Sequence, residues 1–428
     1  MRNSTEYGKV YPWVAVGLLW VVAMLNYMDR QMLATMRPSM QVDIKALESA
    51  TNFGRLMAIF LWIYGLMSPV SGLVADRFNR KWLIVGSLAV WSGVTFSMGY
   101  ATTFTQLYGL RAIMGISEAL YIPAGLALIA DYHTSRTRSL AVGIHMTGLY
   151  AGQALGGFGA TVAGAYSWQS AFGVFGLAGL IYAGVLSLFL RESRPGVNLS
   201  SLETVSQKPG SSPWKSLGIL LRNPSFWVIL LVYAIPSLPG WATKNWLPTL
   251  FATNLNIDMS SAGPLSTISI AVSSFLGVIL GGILSDRWVQ TNVRGRIYTS
   301  AIGLALTIPA LMLLGFGSSL VHVLGAALCF GVGFGMFDAN NMPILCQFVP
   351  ASRRATAYGL MNMMGVFAGA LITDWLGKSM DAGSLGSGFA WLASIVAGAL
   401  VIQLVGLKPK TAEYVPVNEE LSIPVAQP

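Results

Sequence analysis

The chain has 428 residues, 54% of them hydrophobic and only 10% charged, with a formal net charge of +9. A soluble domain carries roughly a quarter of its residues as charges, so an ordinary soluble protein is excluded. The basic balance alone would suit a nucleic-acid partner; its placement along the chain assigns it to membrane topology instead.

Runs of about 20 apolar residues predict membrane helices. Twelve occur: 12–36, 52–75, 82–101, 105–130, 138–163 and 169–190, then 225–252, 262–285, 297–317, 321–347, 354–378 and 385–407. In lipid every backbone polar group needs an internal partner, so each span is expected to be helical. The first contains Asp29 and Arg30 and lacks a small-residue cleavage site, which reads as a retained helix and not a signal peptide. Between the sixth and seventh spans the chain turns polar, from Arg191-Glu-Ser-Arg-Pro195 to Pro213. The expected plan is an N-terminal six-helix bundle (1–190), a cytoplasmic linker (191–224), a C-terminal six-helix bundle (225–407) and a disordered cytoplasmic tail (408–428).

The side shared by the two termini carries 19 Lys and Arg, among them Arg136, Arg138, Arg191, Arg294, Arg296, Arg353 and Arg354. The opposite side carries about four: Arg37, Lys45, Arg55 and Lys378. This positive-inside bias predicts cytoplasmic termini, with the lipid bilayer and not a nucleic acid as the partner. Cys329 and Cys346 both fall in the tenth span and imply neither a disulfide framework nor a zinc site.

The two halves echo each other. Gly72-Leu-Val-Ala-Asp76-Arg77-Phe-Asn-Arg80-Lys81 follows the second span, and Gly282-Ile-Leu-Ser-Asp286-Arg287 follows the eighth, 210 residues later. Gly115-Ile-Ser-Glu118 with Pro123 matches Gly335-Met-Phe-Asp338 with Pro343, and Arg138-Ser-Leu-Ala-Val-Gly143 matches Arg354-Ala-Thr-Ala-Tyr-Gly359. Charged residues at corresponding depths point to a duplicated membrane bundle.

An ionisable residue inside a span costs roughly 2.5–3.5 kcal/mol and persists where it faces a cavity or a partner. Asp29, Arg30, Arg111, Glu118, Lys244 and Asp338 stand out, with Asp374 a weaker seventh. At about 1.5 Å of rise per residue, Arg30, Arg111 and Lys244 all fall roughly 10 Å outside the midplane. Glu118 falls near the midplane and Asp338 slightly inside it. Three cations above two carboxylates predict an anion-coordinating layer over a protonatable one. Asn26 shares a helix face with Arg30, and Arg111 with Glu118. Tyr27, Tyr121, Gln153, Asn340 and Asn341 could bond substrate hydroxyls. The same polar groups also fit helix-to-helix bonding, and the charges a buried salt-bridge lattice holding helices 1 and 4 together.

The Gly-x-x-x-Asp-Arg…Arg-Lys string resembles the loop between helices 2 and 3 of the major facilitator superfamily, a likeness that extends over nearly the whole chain. It implies an all-α membrane protein of twelve helices, with two pseudo-symmetric bundles around a central cavity. More closely, Leu25-Asn-Tyr-Met-Asp29-Arg30 with Arg111…Gly115-Ile-Ser-Glu118-Ala resembles the anion:cation symporter branch of sialin-like, hexuronate and galactonate transporters. That resemblance assigns Arg30 to the substrate carboxylate and Glu118, with Asp29, to the coupling protons; Asp338 joins them as a third candidate carboxylate. Asn-Tyr-Met-Asp-Arg and Asp76-Arg-Phe-Asn-Arg-Lys are equally similar to spinster-like lipid transporters, which leaves the substrate class open. With Asp29, Arg30, Arg111 and Glu118 ionised the local charge sums to zero. Protonating Glu118 leaves a net positive pocket, so proton and anion binding would reinforce each other.

The resemblance further implies a conformational latch at the cytoplasmic mouth, made by Gly72, Asp76, Arg77, Arg80 and Lys81 with Asp286 and Arg287 in the second half. Topogenic charge accounts for part of Arg80 and Lys81. Gly143-x8-Gly152-x3-Gly156-Gly157 resembles the antiporter motif of drug exporters but lacks its proline, and reads better as a helix-packing stripe. No metal-site or nucleophile pattern suggests an enzyme, and His133, His145 and His322 are scattered. The expectation is a monomeric carrier in a plasma membrane, a bacterial inner membrane. It would move a sugar acid such as a sialate, hexuronate or aldonate, without a cofactor, driven by an ion gradient of H⁺.

Overall fold

The computed structural model describes residues 10–133, 137–192, 218–350, 353–409 and 411; the side chains at 72, 73, 76, 77, 139 and 355 lie outside the description. The described chain is helical throughout, apart from its connections. The first half holds α1 (Tyr11–Asp43), α2 (Ala50–Arg77), α3 (Arg80–Met98), α4 (Phe104–Ala119), α5 (Tyr121–Tyr132), α6 (Arg138–Gly156), α7 (Gly159–Ala165) and α8 (Trp168–Phe189). The second holds α9 (Pro224–Leu255), α10 (Met259–Trp288), α11 (Gly295–Phe316), α12 (Leu320–Phe348), α13 (Arg354–Asp381) and α14 (Leu385–Gly406). Most of the expected linker, and the expected disordered tail from 412 onward, lie outside the described residues.

Among the described residues, eleven helical stretches are long and apolar enough to cross a membrane, with α4 and α5 counting as one. The remaining predicted span, 138–163, the fifth in chain order, is the pair α6 and α7, interrupted at Gly157-Phe158. The α4–α5 break has a local cause. Pro123 has no N–H, and its ring would clash with the carbonyl of Ala119 in an unbroken helix.

Helix starts follow their capping chemistry. Ser49, Asn79, Thr103, Ser167, Asn223 and Ser319 each accept a main-chain N–H of the turn they open, and Thr103 with Gln106 forms a full capping box. Inside the halves, small residues set the helix spacing, as lipid-embedded packing requires. A Cβ on Gly148 would lie 2.6 Å from the Trp20 carbonyl oxygen, and one on Gly156 would lie 2.7 Å from that of Met28. Gly148, Gly152 and Gly156 therefore form the stripe on which α6 meets α1. Gly143, also expected in that stripe, faces open space.

The halves touch mainly toward the end where α1 finishes and α2 begins, called here the far side. There α2 crosses α13 closely: a Cβ on Gly54 would be 2.8 Å from the Thr373 oxygen, and one on Gly377 2.6 Å from the Ala50 oxygen. The Asp381 carboxylate at the end of α13 accepts from Ala50 N (2.7 Å), Thr51 N (2.8 Å) and Ser49 Oγ (2.8 Å). One half thus caps the first turn of a helix of the other. Arg55 meets Asp374 at 3.6 Å one turn deeper, and Thr161 Oγ1 donates to the Ser260 oxygen at 3.0 Å between α7 and α10. On the near side the α2–α13 seam reaches Asn362 Nδ2, which donates to Ser68 Oγ at 2.9 Å.

Candidate functional site

Beneath the far-side seal lies a cleft lined by Tyr27, Arg30, Gln31, Gln153, Trp241, Lys244 and Asn245. Both halves contribute, through α1, α6 and α9. Gln31 Nε2 donates to the Lys244 carbonyl oxygen at 2.9 Å and closes the roof. Asn245 Nδ2 is held by Thr373 Oγ1 at 2.8 Å.

Arg30 is the centre of the first half. Its Nε donates to Glu118 Oε2 at 2.7 Å, and Asn26 Nδ2 donates to the same oxygen at 2.9 Å. The guanidinium lies over the rings of Phe60 (4.7 Å), Tyr64 (4.8 Å) and Tyr27 (5.1 Å). Three ring faces suit a cation in a site with little water. The Arg30 side chain keeps 12% exposure, whereas Glu118 has none. Asp29 is buried beside them and accepts Thr95 Oγ1 at 3.2 Å. Four atoms around this cluster are buried without a hydrogen-bond partner: Glu118 Oε1, Asn26 Oδ1, Arg30 Nη2 and Arg111 Nε.

Of the three cations expected in one layer, the fold brings two together. Arg30 and Lys244 both line the cleft and share Tyr27, with Lys244 Nζ 5.8 Å from its ring and 4.7 Å from that of Trp241. Arg111 departs from the expectation. It is 3% exposed, lies over Phe60 at 4.5 Å and donates to Met114 Sδ at 3.0 Å, away from the cleft. Gly115 explains the burial. It brings α4 so close to α2 that a Cβ there would stand 2.7 Å from the Phe60 oxygen, enclosing the side chain one turn away.

Two of the expected hydroxyl-binding residues, Tyr121 and Asn340, are likewise enclosed, as is Asn26, a candidate substrate-binding residue beside Arg30 on α1. Tyr121 is fully buried with its hydroxyl on the Leu19 oxygen at 2.8 Å, Asn340 donates to the Met336 oxygen at 2.8 Å, and Asn26 belongs to Glu118. Gln153 lines the cleft. Asp338 is exposed toward the space between the halves, where Asn341 Nδ2 donates to it at 3.2 Å. Lys244, Tyr150, Tyr233 and Tyr358 are near enough to feel its charge.

Gln31, Trp241 and Asn245 were not anticipated. They flank Arg30 and Lys244 in sequence, and a polar or aromatic neighbour of an intramembrane charge was the available signal. Phe60 and Tyr64 carry no such mark, being two aromatics in an apolar run.

At the near side, Arg80 pairs with Asp131, and Glu192 accepts the main-chain N–H groups of Arg80 (3.2 Å) and Lys81 (2.7 Å). These contacts stay within the first half. Asp286 and Arg287 are exposed at the end of α10. The side chains of Asp76 and Arg77, and position 72, lie outside the described residues. Among the described residues no group of three or more His, Cys, Asp or Glu is placed to hold a metal.

The comparisons agree with this architecture. The chain is 26% identical over 385 residues to the sphingosine-1-phosphate transporter SPNS2 of Xenopus tropicalis, covering 84% of this chain and 73% of that one. It is 26% identical over 414 residues to the hexuronate transporter of Escherichia coli (strain K12), covering 91% and 93%. It superposes with a TM-score of 0.74, at 20% identity, on the crystal structure of a bacterial homologue of the human lysosomal transporter Spinster, in an inward-facing, unoccupied conformation. That match covers 94% of this chain and 96% of the other, and establishes the shared fold. Residues 19–373 match the sequence model of the Major Facilitator Superfamily. The chain belongs to that superfamily of multi-pass membrane transporters and is a transporter, not an enzyme.

Proposed function

We propose that the protein is a proton-coupled symporter of a small organic anion, a sugar acid such as a hexuronate, aldonate or sialate, working by alternating access. The observation that carries this reading is the 2.7 Å ion pair between Arg30 and Glu118 at the wall of the cleft. An incoming carboxylate needs Arg30, and Glu118 already holds it. Protonating Glu118 removes the competitor, so a proton prepares the site for the anion and the anion in turn favours the protonated state. Asp29 is the second candidate proton carrier.

Lys244 supports an anionic substrate from the opposite half, since no described carboxylate lies within ion-pair distance of it. The Tyr27 and Trp241 rings offer faces for the C–H side of a sugar, and Gln31, Gln153 and Asn245 offer amides for hydroxyls. Arg111 completes the charge balance from within the wall. The near side is taken as cytoplasmic by its basic loops, the membrane as a bacterial inner membrane and the working unit as a monomer. In that frame the closed far-side seal faces away from the cytoplasm.

A spinster-like carrier of amphiphiles is the second reading, favoured by the tyrosines around Asp338 and by the likeness to spinster proteins. The test is uptake of radiolabelled D-glucuronate, D-galactonate and N-acetylneuraminate into proteoliposomes, against D-glucose, with and without an inward proton gradient. Symport predicts accumulation of at least one acid only with the gradient, and none of glucose. Transport of lysophospholipid probes in place of every acid would move the assignment to the second reading.

A further inference from the structure

We infer that Asn26 holds the transported proton on Glu118 by closing an acid–amide ring with it. The inference rests on the proton-coupled reading above and deepens it. The two side chains meet through one bond in the structure, Asn26 Nδ2 to Glu118 Oε2 at 2.9 Å. The other oxygen of each group, Glu118 Oε1 and Asn26 Oδ1, is buried with no partner. While Glu118 is ionised both of these atoms are acceptors, so neither can satisfy the other. Leaving two acceptors buried and unpaired is costly.

One proton resolves both. Placed on Oε1, it donates to Asn26 Oδ1, while Nδ2 keeps its bond to Oε2. A carboxylic acid and a primary amide then face each other donor to acceptor on both edges. The proton arrives from cleft water as hydronium and returns to water on release.

No surrounding ionisable group presents a donor and an acceptor side by side as the Asn26 amide does. From α1, Asp29 and Arg30 act on Glu118; from α2, Tyr64; from α4 itself, Arg111. The two arginines are donors only, the Tyr64 side chain offers a single O–H, and the Asp29 carboxylate, bonded at one oxygen by Thr95 of α3, is an acceptor only. Asn26 is therefore a positioning residue: it touches Glu118 and not the substrate. This fits the full burial of the Asn26 amide.

Infrared difference spectroscopy of the full-length protein in liposomes, stepped through pH without substrate, tests the ring. Subtracting Glu118→Gln isolates the C=O stretch of protonated Glu118. In Asn26→Leu that band should move to higher wavenumber, because the acid has lost both ring partners; an unmoved band overturns the proposal. Should Asn26→Leu not fold, the unsubstituted protein labelled with ¹³C-asparagine serves. One asparagine amide C=O band should shift to lower wavenumber on acidification, and the shift should vanish in Glu118→Gln. No such shift overturns the ring while leaving a titrating Glu118 intact. If no carboxyl band distinguishes the unsubstituted protein from Glu118→Gln at any pH, proton coupling through Glu118 fails as well.

Discussion

Arg30 meets a carboxylate in both halves of the proposed cycle: Glu118 when the cleft is empty, the substrate when it is filled. A hydrogen bond to a charged group contributes roughly 1.5–3 kcal/mol, so Arg30→Ala should weaken anion binding about 10- to 150-fold. Lys244 is a half-buried point charge over two rings; exposed ion pairs contribute about 0.2–1 kcal/mol, and Lys244→Gln should cost a factor of roughly 1.5–5. Isothermal titration with the transported acid separates the two, and equal losses would contradict their different settings. Arg111→Ala should act on stability instead, lowering the unfolding temperature in detergent, because it strips a buried cation from beside Glu118 and Asp29. The charges themselves were legible in the sequence, as intramembrane residues that must have partners. Their pairing was not: seven-residue spacing put Arg111 and Glu118 on one face, but Gly115 decided that Arg111 would be walled in.

Among the elements, α6 and α13 carry the arguments that can be tested by packing. Gly148, Gly152 and Gly156 let α6 rest on the α1 backbone. Gly152→Leu forces that seam apart at an expected cost of about 1–3 kcal/mol, read as a lower unfolding temperature. Gly143→Ala, facing open space, should not lower it. The Gly-x3-Gly spacing was visible as a packing stripe, although Gly148 was missed. Asp381 was invisible. Its three bonds join residues more than 300 positions apart, and no periodicity encodes a helix cap supplied by another helix. Losing an N-terminal cap costs about 0.5–2 kcal/mol, so Asp381→Ala should shift the far-side-closed population by a factor of roughly 2–30. Spin labels on the far ends of α2 and α13 would report it as growth of the longer distance; an unchanged distribution would show that the cap does not hold the gate.

At the scale of the whole molecule, two parallel halves enclose one cleft whose cations come one from each side. The repeated Gly-x-x-x-Asp-Arg turns made the duplication legible, and hydropathy gave the crossings, with the α6–α7 pair interrupted at Gly157-Phe158. Where the halves touch could not be read, because it depends on the conformational state and not on the pattern within any span. That contact geometry leaves the cleft sealed at the far side while Arg30 is locked to Glu118; under the proposed symport, protonation is then the step that readies the site for an anion. The most direct test is the affinity for the transported acid as a function of pH, in the unsubstituted protein and in Glu118→Gln. Affinity should rise as pH falls, by up to about tenfold per pH unit for one linked proton, and Glu118→Gln should bind with a flat profile. A flat profile in the unsubstituted protein, or an undiminished slope in Glu118→Gln, would contradict the account.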